Sequence, residues 1–269
     1  MTITESDNFG VEERTLQAKR LRAYAELGLG LALRPRSELG VDPEVQLTPQ
    51  LTPQLSVKLL REAFQTETSE AHANVSSNFQ TLEALQQQVA ECVACGLCTG
   101  RTQTVFAAGN PLASLAIVGE APGAEEDRTG QAFVGQAGKL LDGMLASLGL
   151  NRLQDAYICN VLKCRPPNNR DPSPEEVAKC EPFLQNQLNL VQPKMILVVG
   201  RFAAQSLLRT ESSIASLRGK LHSYSVSGRA VPVVVTYHPA YLLRNLADKS
   251  KTWADLCFLQ SQMSLLKST

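Results

Sequence analysis

Several short apolar segments of this sequence lead directly into residues whose side chains could do chemistry. Glu120 follows LAIVG, Asn160 ends AYICN, and His238 comes two residues after VPVVVT. A carboxylate can act as a general base, a carboxamide can donate and accept hydrogen bonds at once, and an imidazole can donate to a developing anion. If these segments are neighbouring strands of one parallel sheet, the three groups meet at one edge. The sequence therefore predicts a single active site.

The elements that must position these residues alternate between strands and helices. Unbroken apolar runs are typical of strands buried on both faces, and Ser173 with Glu176 forms the capping-box signature of a helix start. The predicted strands are Leu115–Gly119, 156–161, Met195–Val199 and 231–236, and the predicted helices are 138–148, one starting at Ser173, 202–208 and 252–266. We expect an α/β fold with a central, mostly parallel four-stranded sheet and helices on both faces. Ligands of such sheets bind beyond the carboxyl ends of the strands.

The first part of the chain differs from the rest. Residues 11–33 have the composition of a helix, but a tandem LTPQ repeat and a polar stretch follow. Repeated prolines stop helices, and few large apolar side chains remain to be buried. We expect residues 1–80 to be a poorly ordered N-terminal extension. The spacing of four apolar residues then predicts a short amphipathic helix that leads to Cys92, namely Phe79, Leu82, Leu85 and Val89. We expect a second domain over residues 81–269.

Charge and hydropathy exclude some classes of protein. The net charge is zero, yet residues 92–269 hold 18 Lys and Arg against 13 Asp and Glu. This modest positive excess suits a polyanionic partner but is common in other proteins as well. Apolar runs are far too short to cross a bilayer, and the N-terminus shows no apolar leader. We therefore expect a cytoplasmic protein that does not bind membranes.

The chain has seven cysteines, and an odd number without a secretory leader argues against a disulfide framework. Cys92, Cys95 and Cys98 are closely spaced, and Cys164 and Cys180 follow in the second half. Thiolates with such spacing bind zinc or an iron–sulfur cluster, and the spacing alone does not separate the two. The remaining pair, Cys159 and Cys257, is expected to lie in the core.

Three long segments resemble the type-4, iron–sulfur uracil-DNA glycosylases, and they occur in the right order and spacing. They are GEAPGAEEDRTGQAFVGQAGKLLDGML, NVLKCRPPNNRDPSPEE and HPAYLLRN. The resemblance covers about residues 92–263 and leaves residues 1–80 without a counterpart. It implies an enzyme that cuts uracil out of DNA and binds a [4Fe–4S] cluster. We expect the protein to be a monomer. The implied cluster ligands are Cys92, Cys95, Cys164 and Cys180, with Cys98 a bystander.

The resemblance also implies roles for the pocket residues. Asn160 would read the Watson–Crick edge of the base, Phe133 would stack on it, and His238 would donate to uracil O2 as charge develops there. Backbone N–H groups of residues 120–123, including Ala121 and Gly123, would add donors. Glu120 and Asn169 are the two candidates for orienting the attacking water. Glu126 would shape the mouth of the pocket.

The last implied set of residues contacts DNA. Leu242 and Leu243 would fill the gap that the extruded base leaves in the duplex. Four basic side chains would contact phosphates: Lys163, Arg165, Arg170 and Arg244.

Three other functions remain open at this point. A mismatch glycosylase of the same superfamily would generally lack a glutamate at the position of Glu120. A cross-linking relative would carry a histidine in residues 166–174, which contain none. A non-catalytic, cluster-bearing DNA-binding protein would not need Asn160, Phe133 and His238 together.

Overall fold

The computed structural model describes residues 81–267. The predictions made for residues 1–80, including the helix over residues 11–33, lie outside the described residues. No helix of the described part is long and apolar enough to cross a membrane.

A six-stranded sheet forms the centre of the described part of the chain, with the strand order β1-β3-β2-β4-β6-β5. The four inner strands are parallel to one another, and the two edge strands pair antiparallel. The strands are β1 (Ala108–Gly109), β2 (Leu115–Gly119), β3 (Ala156–Asn160), β4 (Met195–Val199), β5 (Leu221–Val226) and β6 (Arg229–Thr236). The α/β class and the parallel four-stranded centre are confirmed.

The expected number of strands was too low because both edge strands lack an apolar run. β1 is two residues long, and the first five side chains of β5 alternate between exposed and partly buried. β5 and β6 form a hairpin whose turn residues, Ser227 and Gly228, both have positive φ. A two-residue turn with positive φ at both positions is typical of a β-hairpin.

Helices cover both faces of the sheet. They are α1 (Leu82–Glu91), α2 (Ala124–Thr129), α3 (Gln136–Ser147), α4 (Pro174–Val191), α5 (Arg201–Leu208), α6 (Ile214–Leu217), α7 (Pro239–Arg244) and α8 (Lys249–Lys267). At the start of α4, Glu176 N donates to Ser173 Oγ and Ser173 N donates to Glu176 Oε2, so the predicted capping box is confirmed.

Side chains of successive strand residues enter two separate cores. In β2, Leu115 and Ile117 pack with α3, α7 and α8, whereas Ala116 and Val118 pack with α4 and α5. This alternation follows from the two-residue period of a strand. Because both faces are buried, the polar residues that follow the strands are confined to the edge of the sheet.

Candidate active site

A cavity of about 660 Å³ lies at the carboxyl ends of the parallel strands. Its lining includes Glu120 after β2, Asn160 at the end of β3, and His238 after β6. Parallel strands present their carboxyl ends at one edge, which explains why residues distant in the chain meet here. Glu120, Asn160 and His238, which the sequence predicts to share one site, therefore line the same cavity.

Asn160 is the most deeply buried polar residue of this cavity, with 1% of its surface exposed. Its Oδ1 atom is buried and has no hydrogen-bond partner among the residues that the structure describes. An unsatisfied buried oxygen costs free energy, so it is an available acceptor for a ligand N–H. A Cβ atom at Gly119 would collide with this oxygen and would lie 2.6 Å from Phe133 Cζ. Only glycine at position 119 leaves room for both side chains.

The ring of Phe133 forms a wall of the cavity. Its centroid lies 5.6 Å from that of His238, and the two ring planes are inclined by 32°. Phe133 has φ of +56°, a left-handed conformation that is rare for a bulky residue. The flat ring is available for stacking on a planar ligand.

His238 is the N-cap of α7, and its Nδ1 accepts a hydrogen bond from Ala240 N at 3.1 Å. An accepting Nδ1 leaves the proton of a neutral imidazole on Nε2, which is then a donor. Burial, followed by the positive charge of Arg244, lowers the pKa of His238 to about 4. The imidazole is thus neutral near pH 7. A Cβ atom at Gly200 would lie 3.0 Å from His238 Cβ, so glycine is needed there too.

Glu120 is a partly buried carboxyl group at the same edge. Burial and the nearby negative charge of Asp171 raise its pKa to about 7, although Arg201 opposes this rise. A carboxyl group with a pKa close to the working pH is well suited to act as a general base. Asn169 also lines the cavity, and its Oδ1 accepts from Arg165 Nε at 2.8 Å.

Glu126 lines the cavity, but its carboxylate is already occupied by the main chain. Its Oε2 accepts from Gly123 N at 3.1 Å, and its Oε1 accepts from Val134 N and Gly135 N at 2.9 Å each. Glu126 thus ties the turn after β2 to the segment that carries Phe133. Gly123 and Ala121, the other residues predicted for this turn, also line the cavity.

Two of the residues predicted to contact DNA are buried, and these predictions are wrong. Lys163 is 1% exposed, and its Nζ donates to Asn160 O at 2.6 Å and to Gln187 Oε1. Its ammonium group is therefore satisfied inside the protein. Leu242 is 1% exposed because α7 turns it towards the core, whereas the neighbouring Leu243 is 43% exposed.

The other predicted DNA contacts lie on or near the surface. Arg244 is exposed and lines the cavity. Arg170 also lines it and forms an ion pair with Glu176 at 2.6 Å, and Arg165 is partly exposed. Arg244 and Arg170 therefore bring positive charge to the cavity, although that of Arg170 is paired with Glu176.

Several residues at this cavity were not predicted from the sequence. The lining residues are Asp171, Gly200, Arg201, Tyr237 and Tyr241, and Gly119 lies directly behind Asn160 and Phe133. Gly119 is the last residue of β2, and Gly200 directly follows β4. A glycine at such a position often indicates that another group approaches the backbone closely. No sequence pattern indicates that Asp171 and Arg201 lie near Glu120, because this proximity depends on how α5 packs.

A second, smaller cavity is lined by the cysteines that were candidates for a cluster. These are Cys92, Cys95, Cys98, Cys164 and Cys180. Within residues 81–267, no three His, Cys, Asp or Glu side chains are arranged to chelate one metal ion.

Two sulfur atoms of this cavity accept hydrogen bonds from nitrogen. Arg101 Nη1 lies 3.2 Å from Cys164 Sγ, and Lys163 N lies 3.3 Å from Cys180 Sγ. Each of these nitrogen donors would stabilise negative charge on the sulfur atom that it contacts. Of the other two cysteines, Cys159 is buried as predicted, but Cys257 is exposed, and its assignment to the core is wrong.

Comparison with known proteins places these features in a family. The model of the uracil DNA glycosylase superfamily matches residues 106–257. The type-4 uracil-DNA glycosylase of Archaeoglobus fulgidus is 47% identical over 168 residues, which are 61% of this chain and 84% of that protein. The type-4 uracil-DNA glycosylase of Thermotoga maritima is 42% identical over 63% of this chain and 87% of its own. A type-5 uracil-DNA glycosylase of Pyrobaculum aerophilum is 32% identical over half of this chain and 64% of its own. The chain belongs to the uracil DNA glycosylase superfamily and, within it, to the type-4 uracil-DNA glycosylases.

Proposed function

We propose that this protein excises uracil from DNA by hydrolysing the bond between the base and the deoxyribose, which leaves an abasic site. One observation carries the proposal. The buried, unpartnered Oδ1 of Asn160 shares a cavity with the ring of Phe133 and the imidazole of His238. These are the groups that a planar base with a polar edge and a departing negative charge requires.

The first step is recognition of an extruded base. Uracil offers an N–H at N3 and a carbonyl at O4, and the carboxamide of Asn160 can accept from the first and donate to the second. Cytosine offers an acceptor at N3 and an amino donor at C4, so both hydrogen bonds would be mismatched. A buried site built on hydrogen bonds discriminates strongly against such a ligand, because unpaired polar groups are costly. Phe133 stacks on the base.

The second step is stabilisation of the leaving group. As the glycosidic bond breaks, negative charge develops on uracil O2, and a neutral His238 donates its Nε2–H to that oxygen. The low pKa of His238 means that this donor is present across the physiological pH range. Backbone N–H groups of residues 120–123 supply further donors. Because these donors are fixed before the reaction, little reorganisation is needed in the transition state.

The third step is the attack of water on C1′ of the sugar. Glu120 takes the proton from this water, and its pKa of about 7 allows it to accept that proton at neutral pH. The carboxamide of Asn169 is the second group available to orient the water.

DNA is held at the mouth of the cavity. Arg244, Arg170 and Arg165 contact phosphates, and the exposed side chain of Leu243 enters the duplex where the base has left. The two buried residues, Leu242 and Lys163, support this surface from within.

We further propose that Cys92, Cys95, Cys164 and Cys180 hold a [4Fe–4S] cluster with a structural role. It would tie the end of α1 to the segment 163–170 and to α4, and so hold the DNA-contacting loop in place. Arg101 supports this arrangement, because it donates to Cys92 O at 2.8 Å as well as to Cys164 Sγ.

The proposed activity is tested with a uracil-containing oligonucleotide that is treated with alkali after incubation. We expect strand cleavage at uracil and none at cytosine in the matched oligonucleotide. The variant Asn160→Asp should lose most uracil excision, because an ionised carboxylate only accepts and would repel O4. DNA binding without any excision by the wild-type protein would instead favour a non-catalytic DNA-binding protein.

The cofactor is tested by metal analysis of the purified protein. We expect brown protein with about four irons per chain, the number in one cubane cluster. Cys164→Ser should lose iron, whereas Cys98→Ser, which changes a thiol of the same cavity, should keep it. One zinc per chain in colourless protein would contradict the cluster.

A further inference from the structure

Phe133 enters the cavity from a segment, residues 132–135, that belongs to neither a helix nor a strand. Its φ of +56° is disfavoured for a residue with a Cβ atom. Such a conformation persists only where the surrounding structure holds it. The groups that hold this segment therefore decide where the ring lies.

Arg152, in the loop between α3 and β3, holds the carbonyl groups of this segment. Its Nη1 donates to Phe133 O and its Nη2 donates to Ala132 O, each at 2.8 Å. Arg152 is itself positioned by an ion pair with Asp142 of α3 at 3.1 Å. A planar guanidinium group can donate to two neighbouring acceptors at once, and it stays charged at every relevant pH.

The other side of the segment is equally constrained. Glu126 accepts from the main-chain N–H groups of Val134 and Gly135. Gly138 allows the close approach of Phe133 O, which a Cβ atom at position 138 would obstruct. Four charge-assisted hydrogen bonds thus fix four consecutive residues. Because Arg152 bonds to the carbonyl of Phe133 itself, it acts on the residue with the strained backbone.

We infer that Arg152 is a positioning residue for base recognition, since it holds Phe133 in the left-handed conformation that presents its ring to the extruded base. This inference rests on the proposed function and deepens it. Without the two hydrogen bonds, the backbone of Phe133 relaxes towards negative φ, and the ring leaves its place beside His238. Arg152 does not line the cavity, and its guanidinium group is bonded to the main chain and to Asp142, so we expect affinity for DNA to remain while capture of the base weakens.

The test compares Arg152→Met with a matched control, Arg229→Met. Arg229 also donates to two successive carbonyl groups, Pro193 O at 2.9 Å and Gln192 O at 3.4 Å. Gln192 likewise has a positive φ, but it ends α4 and does not line the cavity. Both substitutions remove the same kind of main-chain contact, and only one of them concerns the base pocket.

We expect Arg152→Met to lower the maximal single-turnover rate about tenfold, in line with the loss of one stacking contact. The DNA concentration at half-saturation should stay unchanged, and Arg229→Met should keep the wild-type rate. In a Phe133→Ala background, Arg152→Met should change the rate less than twofold, because the ring through which it acts is gone. Arg152→Lys keeps the charge beside Asp142 but cannot bond both carbonyls equally, so its rate should be intermediate.

A second measurement does not depend on activity. The proton NMR signal of the His238 imidazole senses the ring of Phe133, and the chain has only three histidines. This signal should shift in Arg152→Met and stay in place in Arg229→Met. A wild-type rate and an unshifted signal in folded Arg152→Met, or in Arg152→Lys if the first variant does not fold, would overturn the inference. If the wild-type protein excises no uracil, the proposed function fails, and the His238 signal alone decides whether Arg152 positions the ring.

Discussion

Replacement of Glu120 by glutamine should change both the stability and the pH dependence of this protein. The pKa of Glu120 rises from its ordinary value of 4.5 to about 7 in the folded state, mainly through burial and then through Asp171. A pKa shift of this size means that folding disfavours the ionised carboxylate over the protonated form by about 3 kcal/mol. Because the carboxyl group is partly exposed, solvent screening reduces the expected effect to about 2 kcal/mol.

The direction of the effect follows from proton binding. The folded protein binds this proton more tightly than the unfolded chain does, so Glu120 is most favourable to folding below pH 4.5. That contribution is lost as the pH rises through 7. Glutamine does not titrate, and we therefore expect Glu120→Gln to be more stable than the wild type by about 2 kcal/mol at pH 8. The difference in free energy of unfolding between Glu120→Gln and the wild type should decrease by about 2 kcal/mol as the pH falls from 8 to 4.5.

The same substitution should remove the pH dependence of the reaction. If Glu120 is the base, wild-type single-turnover rates rise as its carboxyl group ionises around pH 7, and Glu120→Gln is slow at every pH. Free energies of unfolding from denaturant titrations at pH 4.5 and 8, and rates from pH 5 to 9, measure both effects. Glu125→Gln is the control, since Glu125 is an exposed neighbour paired with Arg128. A stability difference that does not vary with pH would refute the reasoning about burial, and full activity of Glu120→Gln would exclude its role as base.

Three further predictions concern the pocket and the extension. Gly119→Ala should nearly abolish excision while the protein still folds and binds DNA, because the added Cβ meets Asn160 and Phe133; excision and DNA binding measured on one preparation test this. His238→Leu should lower the single-turnover rate by about 10²–10³, the usual loss for one donor to a developing anion, and a near wild-type rate would show that other groups stabilise the charge. A chain that starts at Asn78 should excise uracil at a rate similar to that of the full chain, because the cavity is built from residues within 81–267; a large loss in folded, iron-containing protein would contradict this.

Some strands and helix ends could be predicted from the sequence because a few neighbouring residues determine them. β4 was predicted to the residue, since its unbroken apolar run begins after Lys194 and ends before Gly200. The capping box of α4 was equally clear. β5 was missed because its polar residues alternate with apolar ones at the edge of the sheet, where burial imposes no continuous apolar run.

The sequence by itself determined which residues lie together at the carboxyl ends of the parallel strands. Glu120, Asn160 and His238 follow buried strands, and the ends of parallel strands must meet. Only the tertiary structure decided which way individual side chains face. Lys163 follows Asn160 by three residues and looks like a surface cation, yet its ammonium group finds acceptors inside the protein. Arg152 has no motif around it, and its contact with Phe133 exists only because two loops pack together. The physical reason is that an apolar run shows which few residues are buried in a strand. It does not show which distant residues form hydrogen bonds with each other, because those bonds depend on how the segments pack.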